Sequence, residues 1–194
     1  MAKTKTDQSY KFWDRVSGWS KAESAANSTL VKCINRKFGV HIMPGDTVLD
    51  YGCGTGTITL RIARNAGKVH GVDLSEGMLR RAQQNLKNQQ IDNATFNKIT
   101  ALNEMFRDDS FQVITSFNVL QYIENRKTLF KQFYGLLKPQ GKLIVAVPCF
   151  SGMNTLSTQL VKFLRFIRIM PETYFFSTDE IEKEITDTGL VIVE

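Results

Sequence analysis

Short apolar runs alternate with amphipathic stretches along most of this chain, and that rhythm predicts strands alternating with helices. Thr47-Val48-Leu49 is a first strand, closed by Asp50. Thr55 to Asn65 follows as a helix, with Gly67 as its stop signal. Lys68 to Val72 is a second strand ending in Asp73, and Ser75 is placed to cap a helix through Met78, Leu79, Ala82 and Leu86. Ala94 to Ile99 and Phe111 to Phe117 read as third and fourth strands. Lys127 to Leu137 is helical and is stopped by Lys138-Pro139-Gln140-Gly141. Leu143 to Val147 has the continuous apolar pattern of a central parallel strand buried on both faces. Right-handed crossovers then give an α/β, doubly wound, mostly parallel sheet with helices on both faces.

The flanks differ in character. Residues 7–40 read as helices with aromatic and apolar spacing, including Tyr10, Phe12 and Trp13. Residues 152–176 form an amphipathic insert: Leu156, Leu160, Phe163, Leu164 and Ile167 on one side, Lys162, Arg165 and Arg168 on others. Such an insert either covers the sheet or closes over a hydrophobic ligand, and its basic flank leaves peripheral membrane contact as an alternative. Thr178 to Thr188 is a last helix ended by Gly189, and Leu190 to Val193 begins a sixth strand.

Composition narrows the class. The chain has 194 residues, 42% of them hydrophobic and 23% charged, which fits one domain with one core. No apolar run approaches membrane-spanning length. Cys33, Cys53 and Cys149 are far apart with no C-x-x-C pair, which argues against a disulfide framework or a zinc site and fits a reducing cytoplasm. The net charge of +6 is uneven, with eight basic against three acidic residues in the first 40. A solvated helix face accounts for this excess without a nucleic-acid partner.

The chemistry gathers after the first strand. Gly52, Gly54 and Gly56 follow Asp50 directly. A strand that stops in a glycine-rich turn and passes to a helix start is a site for a small polar ligand, because glycine lacks the Cβ that would hold it off. A dinucleotide fingerprint needs its third glycine at position 57, where this chain has Thr57, so an NAD-dependent dehydrogenase is disfavoured. Asp73, at the tip of the second strand, is positioned to accept hydrogen bonds from both hydroxyls of a ribose. Together these features form a nucleoside-binding βαβ unit, which requires the carboxylate at 73 and the loop at 52–56 to meet.

Val48-Leu49-Asp50-Tyr51-Gly52-Cys53-Gly54-Thr55-Gly56, followed by Gly71-Val72-Asp73-Leu74-Ser75-Glu76-Gly77-Met78-Leu79, resembles the class I methyltransferases that use S-adenosylmethionine. The likeness continues through Ser110 to Ile114 and Leu136 to Leu143, in the family's order. It implies a cofactor site in which Gly52, Gly54 and Gly56 approach the methionine part, Asp50 contacts its amino group, and Asp73 takes the ribose. Leu74 and Met78 would pack on the adenine. An acid often follows the family's third strand; this chain has Thr100 there, with the backbone of Ala101 and Leu102 beside it. Asn118 would lie near the departing sulfur. The resemblance also implies one domain over residues 1–194, with a helical cap (1–40), a cofactor-binding core (41–150), a helical lid (151–176) and a last helix and strand (177–194). The family's antiparallel seventh strand has no counterpart here, which points to a shortened chain.

Methyl transfer from a sulfonium mainly requires alignment and exclusion of water; a base is needed only if the acceptor must lose a proton. The two histidines, His41 and His70, fall away from the expected mouth, so no general base is assigned. The segment Phe12-Trp13-Asp14-Arg15-Val16 is similar to that of methyltransferases acting on quinone and tetrapyrrole precursors. With the apolar insert, it favours a small hydrophobic or aromatic acceptor. An RNA or protein methyltransferase, or a cofactor-binding module without catalysis, are the alternatives.

Overall fold

The computed structural model describes residues 6–17, 40–99, 101–148, 159 and 171–193. In chain order the elements are α1 (Thr6–Val16), β1 (Thr47–Tyr51), α2 (Thr57–Ala63), β2 (Lys68–Asp73), α3 (Glu76–Asn88) and β3 (Ala94–Lys98). There follow a one-turn α4 (Leu102–Met105), β4 (Phe111–Phe117), a 3₁₀ turn (Leu120–Tyr122), α5 (Arg126–Leu136), β5 (Leu137–Ala146) and α6 (Thr178–Thr186). The five strands pair in parallel in the order β3-β2-β1-β4-β5. That order reverses between β1 and β4, which opens a crevice at their carboxyl ends.

Period-two alternation sorts the core into two layers. Val48, Val69 and Val113 point to one face, against Leu60 of α2, Leu79 and Ala82 of α3, and Phe96. Leu49, Val72 and Ile114 point to the other, against Phe130, Phe133 and Leu136 of α5 and Ile181 of α6. Because both faces are covered, β1 and β4 are apolar along nearly their whole length.

Local chemistry sets several boundaries. The Ser75 hydroxyl accepts from Met78 N–H and caps α3. Ser177 and Glu180 form a reciprocal capping box at the start of α6. The stop at Lys138–Gly141 is a bulge: Phe111 faces Leu137, and the register resumes at Val113 with Lys142.

Three expectations change. Helix α2 begins at Thr57, since Gly54, Thr55 and Gly56 are spent in the turn. Among the described residues β5 is an edge strand, with Ile144 buried and its flanking residues only partly so. Leu190 to Val193 forms no strand among the described residues, and Val191 and Val193 are exposed. A sixth strand needs a neighbour to bond to, and among the described residues the sheet holds five strands rather than a seven-stranded complement. The amphipathic insert lies outside the described residues apart from Gln159, which is helical, and residues 171–176, which are irregular. Residues 18–39 of the amino-terminal segment also lie outside them. No helix among the described residues is long and apolar enough to cross a membrane.

Candidate functional site

At the carboxyl ends of β1 and β2, the loop and the acid meet. Tyr51 pairs with Val72, and the N–H groups of Gly52 and Cys53 both donate to the Val72 carbonyl. This folds the loop back over β2. Gly54 N–H then donates to Asp73 Oδ2 at 2.9 Å, and Ser75 N–H donates to Oδ1 at 2.9 Å. Each carboxylate oxygen retains a lone pair for a further donor, so two adjacent hydroxyls can be received together. Burial raises the Asp73 pKa; the N–H groups of Ser75, Gly54 and Leu74 oppose the shift, and the charge of Asp14 adds to it.

The three glycines do different work. A Cβ at Gly52 would lie 2.2 Å from Val119 Cγ2, so this glycine lets the chain after β4 pack against the loop. A Cβ at Gly56 would meet Phe96 and Ala82, so it serves the contact between loop, β3 and α3. Only at Gly54 would a Cβ meet nothing within 4 Å. The space a ligand can enter is therefore at Gly54, beside Asp73; the close approach at the other two is made by the protein's own side chains.

Asp50 is buried beneath this loop. Its Oδ2 accepts from Thr59 Oγ1 at 2.5 Å and its Oδ1 from Thr115 Oγ1 at 2.8 Å. Burial pushes its pKa up to about 6 despite those two hydrogen bonds, with a smaller upward push from Asp73. It braces β1, β4 and α2 from within.

Leu74 is half-buried, and Met78 is buried on α3 with its N–H in the Ser75 cap. Ala101 caps α4 through its carbonyl, while the Leu102 side chain is buried in the core, leaving only its backbone for a ligand. Thr100 lies outside the described residues. Asn118 is exposed at φ 57°, with its N–H donating to Ala146 and its carbonyl accepting from Gln121 Nε2. His70 is half-buried in β2 beside Phe106 and Phe111, and Thr95 Oγ1 lies 3.1 Å from its Nδ1. His41 precedes β1, at the opposite end of the sheet from the loop.

Sequence reading missed Asp14. Its Oδ1 accepts from Ser75 Oγ at 2.6 Å and from Gly77 N–H at 2.9 Å, which fastens α1 to the start of α3. Arg81 adds a bond to the Ser17 carbonyl, and a Cβ at Gly77 would collide with Ser17 Oγ. Trp13, one residue before Asp14, packs edge-on against Tyr122 at 5.4 Å between ring centroids. α1 thus spans from the tip of β2 to the turn after β4. In the sequence Asp14 stood out only as part of the Phe12-Trp13-Asp14-Arg15-Val16 resemblance, which gave it no partner and no role.

A family model described as a methyltransferase domain matches residues 42–185. Phosphoethanolamine N-methyltransferase 2 of Caenorhabditis elegans is 35% identical over 115 residues, covering 59% of this chain and 26% of that protein. Demethylmenaquinone methyltransferase of Geobacillus sp. (strain WCH70) is 26% identical over 175 residues, covering 80% of this chain and 75% of that protein. The solved structure of Haemonchus contortus phosphoethanolamine N-methyltransferase 2 in complex with S-adenosyl-L-methionine matches with a TM-score of 0.73 and 26% identity. That match covers 98% of this chain and 43% of the other. The chain spans about a quarter of the length of the Caenorhabditis protein and three quarters of the Geobacillus one. With the domain match running from before β1 into α6, and a parallel sheet whose glycine loop meets an acid at the next strand tip, the chain belongs to the class I S-adenosylmethionine-dependent methyltransferases.

Proposed function

We propose that this chain transfers a methyl group from S-adenosylmethionine to a small hydrophobic or aromatic acceptor. One observation carries the reading: Asp73 and Gly54 are joined by a hydrogen bond at the mouth of the crevice, beside the open space at Gly54. That pairing suits a ribose next to a chain that must pass close to the backbone. When bound, S-adenosylmethionine supplies a methyl on a sulfonium from which a neutral thioether departs.

The protein's part is binding, alignment and exclusion of water. The remaining Asp73 lone pairs receive hydroxyl donors; Asp50 holds β1, β4 and α2 in register beneath them. Trp13 and Tyr122 form an aromatic wall on the β4 side. Burial raises the Tyr122 pKa, and Tyr51 is pushed up to about 12, so both phenols stay protonated at neutral pH and neither is a ready base. An acceptor that already offers a lone pair suits such a site. The aromatic wall, together with the quinone methyltransferases among the relatives, supports an apolar acceptor.

Isothermal titration with S-adenosylmethionine tests the cofactor half. Saturable binding is expected, with affinity falling roughly a hundredfold in Asp73→Ala, the scale of losing two charge-assisted hydrogen bonds. No heat up to millimolar ligand, or a variant that binds like the parent, defeats the reading.

A further inference from the structure

Two buried polar atoms without partners lie within six residues of each other, at the end of β4 and in the turn that follows it. Ser116 is fully buried and its Oγ has no hydrogen-bond partner. Gln121 is 4% exposed and its Oε1 has none either. A buried polar atom left unsatisfied costs on the order of 1–3 kcal/mol, so two in one short stretch call for an explanation.

The surroundings narrow what can satisfy them. Gln121 Nε2 donates to the Asn118 carbonyl at 2.9 Å, which fixes the orientation of the amide and leaves Oε1 as its free end. That atom can only accept, so its missing partner is a donor: an N–H or an O–H. Alternation along β4 turns Ser116 to the face opposite Thr115, whose hydroxyl is committed to Asp50. Leu120, next to Gln121, packs on that same opposite face with Phe176. The backbone of residues 171–176 closes over the turn, with Tyr174 N–H donating to the Gln121 carbonyl at 2.7 Å. The Gln121 side-chain amide is hydrogen-bonded to the Tyr122 phenol, whose ring in turn meets Trp13 of α1. A buried accepting oxygen on an amide whose other end meets the Tyr122–Trp13 pair suits a flat molecule with one polar hydrogen.

We propose that Gln121 selects the methyl acceptor, its Oε1 accepting a hydrogen bond from an N–H or O–H group of a small aromatic molecule seated at the carboxyl end of β4. The inference rests on the methyltransferase reading above and narrows its acceptor class. A neutral amide does not remove the proton. It orients the donor group, and it leaves an unpaired buried oxygen facing any analogue that lacks the hydrogen.

The test uses 2-naphthol and 2-fluoronaphthalene, which are similar in size and differ in the donor, titrated into the protein saturated with S-adenosylhomocysteine. The parent is expected to bind 2-naphthol about tenfold or more tightly than the fluoro analogue, the scale of one hydrogen bond to a buried group. Gln121→Met is expected to lose that preference while its affinity for S-adenosylhomocysteine stays within about twofold of the parent's, a reading that also reports correct folding. Gln121→Glu, which keeps an accepting oxygen, should retain the preference. Equal binding of the two probes by the parent, or saturable binding of neither, overturns the proposal. So does a preference that survives in Gln121→Met, or a fall in S-adenosylhomocysteine affinity there, which would assign the donor to the cofactor. Failure of the parent to bind S-adenosylhomocysteine at all is a separate result, and it removes the methyltransferase reading itself.

Discussion

The two sides of the crevice are finished to different degrees. At the tips of β1 and β2, the polar groups are paired within the chain: Gly54 and Ser75 N–H on Asp73, Ser75 Oγ and Gly77 N–H on Asp14, Thr59 and Thr115 on Asp50. At the tip of β4, Ser116 Oγ and Gln121 Oε1 are buried and unpaired. The first side is a preorganised cradle, and on the proposed reading its backbone is already arranged for a ribose. The second holds hydrogen-bonding capacity in reserve. A common cofactor can be met by a rigid site, whereas the partner that differs from one methyltransferase to another is met by a few side chains on a turn.

Substitutions can break this contrast. The largest effect is expected at Gly52, where φ is 76° and a Cβ would overlap Val119. Gly52→Ala should lower unfolding free energy by about 3 kcal/mol or more in chemical denaturation, because both backbone and packing must give. The loss would show that the tip of β4 and the glycine loop form one packed unit.

The next effect is in pH. The folded pKa of Asp50, about 6, lies above the ordinary 3.8, so the folded state holds its proton to higher pH than the unfolded chain does. Between about pH 4 and pH 6 the folded state therefore binds more protons, and stability falls as pH rises, by an amount on the order of 3 kcal/mol, then levels off. Asp73 is shifted in the same direction and adds to the slope. Denaturation midpoints across that range should flatten in Asp50→Asn; an unchanged slope would show that Asp50 is not the group being titrated.

Smaller again is Asp14→Ala, which removes the acceptor of two hydrogen bonds. It should cost about 1–2 kcal/mol, with faster amide hydrogen exchange confined to α1 and the start of α3. The smallest stability effect is expected at Gly54, where φ is 53° but a Cβ has room. Gly54→Ala should cost about 1 kcal/mol in stability while weakening S-adenosylmethionine about tenfold by calorimetry. The pair Gly52 and Gly54 thus separates packing from ligand space: if both lose only stability, the open space beside Asp73 is not where the cofactor passes.

Sequence legibility follows the same division. Strand–helix alternation, the Ser75 cap and the meeting of Asp73 with the glycine loop were readable because each depends on residues close in the chain or on period-two and 3.6 patterning. Asp14 was not, since its partners Ser75 and Gly77 lie more than sixty residues away. That β5 lies at the edge among the described residues was not legible for a related reason: an apolar run reports that a strand is covered on its faces, not that another strand bonds to its side.

What the amino-acid order determined alone was the kind of sheet and the meeting of the glycine loop with the acid at the next strand tip, because these follow from local backbone preference and spacing. Tertiary structure decided which glycine faces open space, how Asp50 is buried, and that Gln121 keeps one oxygen unpaired. Those properties belong to distances between segments far apart in the chain, and burial fixes them only once the two apolar layers have closed on the sheet.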